Sequence, residues 1–478
     1  MAERVVKPSV EPMAKPSVEP IAEPIVAVVK RDCPTCALVE PVLQDLVTRG
    51  VVSTVHREDD DAGLAASWTL GIETVPTLVR GDERIVGWSR EEWEKFTGVS
   101  GLGEGLPAHR PGCGSRTVEP GLADELAVRF RGDTLRSRRV ELAALEDAAE
   151  ALFDRGWTDG LPVVAPTEAR VLRMLSGTAR APDEVVAVVP PDLVECTIEK
   201  VAVNAVMAGC RPEYLPVVLT AVEAACTDSF NTHGLLATTY FSGPVVIVNG
   251  PIARAIGMNS GVNVLGQGNR ANATIGRALQ LVIRNVGGGR PGGVDRATLG
   301  NPGKYTFCFA EDEEGSPWEP LSVERGVPAG ASAVTLFAGE GPRGVVDQAS
   351  RTPDSLALSF AGALRTVAHP KLPLAFDALV VVSPEHARVF SEGGWSKARL
   401  REELLSALTI DGSELVRGAG GCTEGIPEAL GGAAWPKFRP DGLWFVHAGG
   451  TAGMFSAIIG GWINGETGSQ PVTREVGS

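Results

Sequence analysis

Residues 25–36 read Ile25-Val26-Ala27-Val28-Val29-Lys30-Arg31-Asp32-Cys33-Pro34-Thr35-Cys36. Five apolar residues in a row suit a buried strand. The cysteines are spaced C-x-x-C, and apolar positions then recur at helical intervals through Leu38, Val39, Val42, Leu43 and Leu46 until Gly50 stops them. A strand that enters a helix at a cysteine sets chemistry as well as fold. Free N–H groups and partial positive charge at a helix start favour a thiolate. Cys33 is therefore the expected nucleophile, exposed at the helix start. Cys36, one turn further in, is expected to resolve a mixed disulfide.

Working outward, residues 51–56 read as a second strand and 62–70 as a helix ended by Gly71. Residues 77–80 and 84–86 form a hairpin pattern about Gly81-Asp82. Ser89 caps a helix running to Thr97, with Glu92 completing a capping box. Val75-Pro76-Thr77 opens the third strand. The competing use of C-x-x-C is half a zinc site. That needs a second pair of ligands, and the chain has neither another C-x-x-C nor a closely spaced histidine pair.

On the Cys33–Cys36 motif, the β-α-β-α-β-β-α order and Pro76, residues 25–98 resemble the thioredoxin/glutaredoxin superfamily. The resemblance implies thiol–disulfide exchange. It also implies that Pro76 is cis, lies against the dithiol and helps to bind substrate backbone. The tryptophan that precedes the first cysteine in thioredoxins is replaced by Asp32, whose carboxylate would raise the Cys33 pKa by repulsion.

The chain has 478 residues, 44 Lys+Arg against 59 Asp+Glu, and a net charge of −15. That balance argues against nucleic acid or an anionic membrane as partner. No apolar run reaches the length of a membrane span. The first 24 residues repeat Lys7-Pro8-Ser9-Val10-Glu11-Pro12 as Lys15-Pro16-Ser17-Val18-Glu19-Pro20. They are expected to form a disordered Pro-rich arm, and having no apolar signal core they point to the cytoplasm. Eight cysteines are too few for a disulfide scaffold. Residues 99–120 are expected to be a flexible linker on which Cys113 shuttles electrons.

Residues 121–478 are expected to form a large α/β domain, as one unit or two packed lobes. Strands are expected at 244–248, 378–382 and 443–446, and helices at 143–153, 195–208, 213–225, 273–286, 385–391 and 397–408. Asp159-Gly160-Leu161-Pro162-Val163-Val164 and the run from Glu199 to Cys210 resemble a bacterial family without an established reaction. That family is related to the UGSC (seleno)protein group, which carries Sec/Cys-Gly-Ser-Cys. Cys113-Gly114-Ser115-Arg116 matches all but the last cysteine. The resemblance implies thiol or selenol chemistry.

Cys196, Cys226 and Cys308 sit among apolar neighbours and read as packed thiols. Cys210, before Arg211 at a helix break, and Cys422, among glycines, are the candidate catalytic thiols beside Cys33, Cys36 and Pro76. Lys200 and Asn204 share a helix face. His233, in a Thr/Gly loop, is of the residue type suited to acid–base work. Asn263, Asn269 and Arg270 lie in a polar loop before a helix, where an anion would bind. These six residues are the expected substrate contacts, and a site is expected where loop 259–272 meets Gly209–Arg211, with Lys200 as a second cation and Cys422 nearby. Glu311 to Glu314 read as a solvated acidic run, with Glu311 and Glu313 the candidates for acid–base work. No metal or cofactor is expected. Gly266-x-Gly268-x-x-Ala271 matches a dinucleotide motif by letters, but no buried strand precedes it and no strand with an acidic end follows.

The expected function is a thiol–disulfide oxidoreductase domain, recharged by an external thiol or dithiol. It supplies electrons to a fused domain that acts on a small anionic substrate through a cysteine. One alternative is a redox adaptor whose large domain only binds a partner or ligand. Another is a hydrolase or lyase, using Glu311 or His233, with a regulatory dithiol domain.

Overall fold

The computed structural model describes residues 23–143, 146–465 and 468–477. Nearly all of the expected Pro-rich arm, residues 1–22, lies outside the described residues. The fold is α/β, and the chain divides into two compact units at Phe130/Arg131.

In the first unit, β1 (Ile25–Val29) runs into α1 (Pro34–Thr48), followed by β2 (Val52–Arg57) and α2 (Asp61–Thr69). Then come β3 (Thr74–Val75), β4 (Thr77–Arg80), β5 (Glu83–Val86) and α3 (Arg90–Thr97). The sheet order is β2-β1-β4-β5. β1 is parallel to β2 and antiparallel to β4. The helix α1 forms because Cys33 caps it and Pro34 presets its first turn, and it buries Val39, Val42, Leu43 and Leu46.

Residues 99–120 differ from the expected linker. Trp88–Ser89 pairs with His109–Arg110, and β3 pairs antiparallel with Cys113–Gly114. The buried Glu58 carboxylate accepts from the Ser115 hydroxyl and, at 2.8 Å, from the Arg116 N–H. Backbone donors and a buried carboxylate need partners, and this segment supplies them. Its Gly/Pro content reflects tight turns built onto the first unit.

The second unit is organised by an eight-stranded sheet made of two half-sheets with the same order. One runs Cys308–Ala310, Gly243–Asn249, Ala333–Gly339, Val472–Glu475. The other runs Leu443–His447, Phe376–Val382, Phe455–Ile463, Arg343–Val346. In each, the second strand is parallel to the first and antiparallel to the third. The fourth strand of each half follows in sequence from the third strand of the other, so the halves exchange edges. They join at one residue pair, Gly339 opposite Gly461. A Cβ on Gly339 would lie 2.6 Å from Ile459 Cγ2, and one on Gly461 would lie 2.9 Å from the Asp377 carbonyl oxygen. Only glycine permits that approach.

Alternate side chains of these strands go to opposite faces. Val246, Val248, Val334 and Leu336 pack against the helices Ile198–Ala208, Leu215–Ala225 and Arg270–Asn285. Val380, Val382 and Phe445 pack against Pro353–Leu364, Pro384–Glu392 and Lys397–Ala407. The other faces, including Val245, Ile247, Leu379 and Val381, share one core. Burial on both faces is why these strands read as unbroken apolar runs.

Candidate functional site

The dithiol sits where expected, at the start of α1. The Cys36 N–H donates to Cys33 Sγ at 3.3 Å, and the Cys33 thiol donates to the Val75 carbonyl at 3.6 Å. The Val75–Pro76 bond is cis. Burial pushes the Cys33 thiol up. Hydrogen bonds from the Cys113 and Cys36 side chains and from the Cys36 and Thr35 N–H groups outweigh it and hold it below the ordinary cysteine value. Asp32, expected to oppose this, is exposed and is not among the principal groups in that balance. Cys36 is pushed up by burial, and Cys113 by its hydrogen bond to Cys33 and by burial. The two thiols are thus set apart, Cys33 held below the ordinary cysteine value and Cys36 pushed above it. One expectation is corrected: Cys33 is 0 % exposed. The segment holding Cys113 lies across the dithiol, and the Thr35 hydroxyl donates to the Pro111 carbonyl there at 2.7 Å.

The candidate thiols of the second unit diverge. Cys210 is buried and its thiol donates to the Thr274 carbonyl at 3.3 Å. Burial pushes it up to about 12, so it does not supply a thiolate near neutrality, which corrects its place among the candidate nucleophiles. Cys196 and Cys226 are likewise pushed up to about 12 by burial, and Cys308 higher still. Cys422 is half-buried, 3.7 Å from His369 Nε2. His369 Nδ1 accepts from the Lys371 N–H at 3.2 Å, which leaves Nε2 facing the cysteine sulfur. Lys371 Nζ donates to the carbonyls of Val416, Ala419 and Cys422, fixing the cysteine loop against the histidine.

Arg270 meets the break at Gly209–Arg211 as expected, its Nε donating to the Gly209 carbonyl at 2.9 Å. A 290 Å³ cavity there is lined by Gly209, Cys210, Arg211, Arg270, Arg170 and Arg173. Four arginines among the lining residues suit a carboxylate or phosphate. Arg170 and Arg173 were missed in the sequence, although a spacing of three on the helix Glu168–Leu175 puts them on one face.

The other expected contacts are not brought to this cavity. Asn204 is buried, bonded to the Lys200 carbonyl and to Asn285 Nδ2, and lines a separate 560 Å³ cavity. Lys200 Nζ donates to the Glu195 carbonyl. Asn263 donates to Gln267 O, and Asn269 caps the helix and donates to Gly257 O, so both serve the loop's own conformation. His233 is exposed on the helix Thr232–Ala237. Cys422 belongs to the 416–426 loop over His369 and does not line the cavity.

Glu311 is not solvated. Its carboxylate accepts from Asn249 Nδ2 at 2.7 Å and from the Leu321 N–H at 2.8 Å, and burial raises its pKa. It follows the strand Cys308–Ala310, where the Asp312 N–H donates to the His447 carbonyl at 2.8 Å and ties the tips of the two half-sheets together. Among the described residues no cluster of three or more His, Cys, Asp or Glu side chains is arranged to hold a metal ion. Among the same residues no helix is long and apolar enough to cross a membrane. Comparison with protein families, with characterised proteins and with solved structures finds no match for this chain.

Proposed function

We propose that the chain is a thiol–disulfide oxidoreductase whose first unit, thioredoxin/glutaredoxin-like, carries the redox pair Cys33 and Cys36. The observation that carries this reading is Cys33 Sγ capping the start of α1, accepting the Cys36 N–H while its pKa is held down. A thiolate there attacks a disulfide, and Cys36 displaces the product by forming the Cys33–Cys36 disulfide. An external dithiol returns the pair to its reduced state.

The second unit, in this reading, takes a small anionic molecule at the cavity of Arg170, Arg173, Arg211 and Arg270. Its cysteine placed for redox exchange is Cys422, which is only half-buried and has His369 Nε2 3.7 Å from its sulfur. Fusion to the dithiol unit makes exchange between them intramolecular, at an effective concentration on the order of mM. The hydrolase or lyase reading draws less support, since the Glu311 carboxylate is buried and occupied by hydrogen bonds.

The test is reduction of oxidised glutathione by the pre-reduced full chain. Cys33→Ser is expected to stop it beyond at most a first glutathione per chain, leaving the thermal unfolding midpoint within a few degrees of the parent. Reduction that continues at the parental rate in Cys33→Ser overturns the assignment.

A further inference from the structure

The sulfur with the lowered pKa has no access to solvent. Cys33 is 0 % exposed and Cys36 3 % exposed, while Cys113 is half-buried. Cys113 packs against the apolar cluster that holds Cys33 and Cys36, and its side chain is among the groups that hold the Cys33 pKa down. Its backbone is held in register, with Cys113 opposite Val75 and Gly114 opposite Thr74 in an antiparallel pair. Val75 is also the residue whose carbonyl accepts from the Cys33 thiol. The segment therefore occupies the strand edge beside the dithiol as an extended peptide would, with a sulfur presented to the nucleophile.

The placement is built in on both sides. Before Cys113, the Thr35 hydroxyl holds the Pro111 carbonyl, and a Cβ on Gly112 would lie 2.7 Å from the Val75 carbonyl oxygen, so only glycine fits. After it, the Ser115 N–H donates to the Glu73 carbonyl at 2.9 Å. Glu58, 1 % exposed, accepts from the Ser115 hydroxyl and from the Arg116 N–H. Such fixed positioning is what a thiol exchanging repeatedly with one partner requires.

We propose that Cys113 is a third redox cysteine, the one through which the buried Cys33–Cys36 pair exchanges with external disulfides. This rests on the reading of Cys33 and Cys36 as the redox pair. The Cys113 thiol attacks a low-molecular-weight disulfide RSSR. A Cys113–SR bond forms and the first RS⁻ leaves, taking up the proton that Cys113 gives up. Cys33 then attacks the Cys113 sulfur. The Cys113–SR bond breaks, the second RS⁻ leaves with the proton from Cys33, and a Cys33–Cys113 disulfide forms. Cys36 attacks Cys33, the Cys33–Cys36 disulfide forms, and Cys113 leaves and takes up the proton from Cys36. Two electrons pass from the dithiol to RSSR, giving two RSH, and Cys113 ends unchanged. An external dithiol then reduces Cys33–Cys36.

Two experiments on the full chain with oxidised glutathione as RSSR test this. In Cys113→Ser, the rate of glutathione release by pre-reduced protein is expected to fall at least tenfold. In Cys36→Ser, which keeps the whole 111–116 segment, peptide mass spectrometry is expected to find the Cys33–Cys113 disulfide as the accumulating species. An unchanged or faster rate in Cys113→Ser overturns the relay, a faster one marking the segment as a mere cover. Glutathione trapped on Cys33 with Cys113 free in Cys36→Ser overturns it as well, and this second measurement decides should Cys113→Ser fail to fold. Loss of activity in Cys33→Ser together with full activity in Cys113→Ser would leave the redox pair standing and remove only the relay. Full activity in Cys33→Ser would remove the redox pair itself.

Discussion

Arg277 grips Asp159 through two hydrogen bonds, Nε to Oδ2 at 2.8 Å and Nη2 to Oδ1 at 2.7 Å, with both side chains less than 15 % exposed. The same guanidinium donates to the carbonyls of Leu161 and Pro162. The Asp159-Gly160-Leu161-Pro162 turn is thereby fastened to the helix Arg270–Asn285, whose first residue lines the arginine cavity. Burial pushes the Asp159 carboxyl up, but the Arg277 guanidinium outweighs it and holds the group below the usual carboxylate range. Removing one partner of such a pair strands the other charge. Asp159→Ala should cost about 3 kcal/mol of stability, read from urea unfolding. The pH dependence has a definite sign. The unfolded carboxyl titrates near about pH 3.9 and the folded one lower, so the folded state binds fewer protons between them. The contribution is intact above that range and is lost as pH falls through the folded value. Asp159→Asn should flatten the acid side of the stability curve there.

The buried thiols set the alkaline limb. Cys196, Cys210 and Cys226 are pushed up to about 12, so the folded chain keeps protons that the unfolded chain releases from about pH 8.5 upward. Stability is fully present below that pH and is lost as pH rises toward 12. By pH 10.5 one such thiol has removed about 2–3 kcal/mol. Cys210→Ala should weaken this slope in guanidinium titrations between pH 8 and 10.5. Alkylation at pH 7.5 should leave Cys210 unmodified in the folded protein, and ready labelling there would contradict its burial.

At the arginine cavity, Arg270→Ala removes one of four lining arginines from an exposed position, so the fold should be kept. A hydrogen bond to a charged group is worth about 1.5–3 kcal/mol, or roughly ten- to a hundredfold in affinity. Isothermal titration with inorganic phosphate should show at least a tenfold weakening in Arg270→Ala. Equal affinity in parent and variant would place the anion elsewhere.

The glycine junction of the two half-sheets is a packing constraint with a measurable size. In Gly461→Ala the added Cβ meets the Asp377 carbonyl oxygen at 2.9 Å and Phe337 Cζ at 3.0 Å. Backbone on one side and a core ring on the other leave little room to yield. Overpacking of this kind costs about 1–3 kcal/mol, seen as a lower thermal midpoint. Gly344→Ala, where a Cβ meets nothing within 4 Å, is the control and should change little.

The local elements were determined by the sequence itself. Ile25–Val29 is a strand because five apolar residues need burial on both faces, and α1 begins at Cys33 because a cap, a proline and an apolar stripe coincide there. The dithiol and its polarity follow from that local order. The start of the helix at Arg270 was misplaced by three residues, since its cap, Asn269, stands among other asparagines. What only the tertiary structure decided are pairings between distant residues. Cys113 meets Val75 across 38 residues, and Arg170 and Arg173 meet Arg270 across about a hundred. The burial of Cys33, Cys210 and Glu311 was decided the same way, by segments that fold over them. Periodicity and capping act within a few residues of chain, whereas strand pairing and desolvation depend on which remote segments arrive at the same place. That is why the place of Cys33 at a helix start was legible in the sequence and its cover was not.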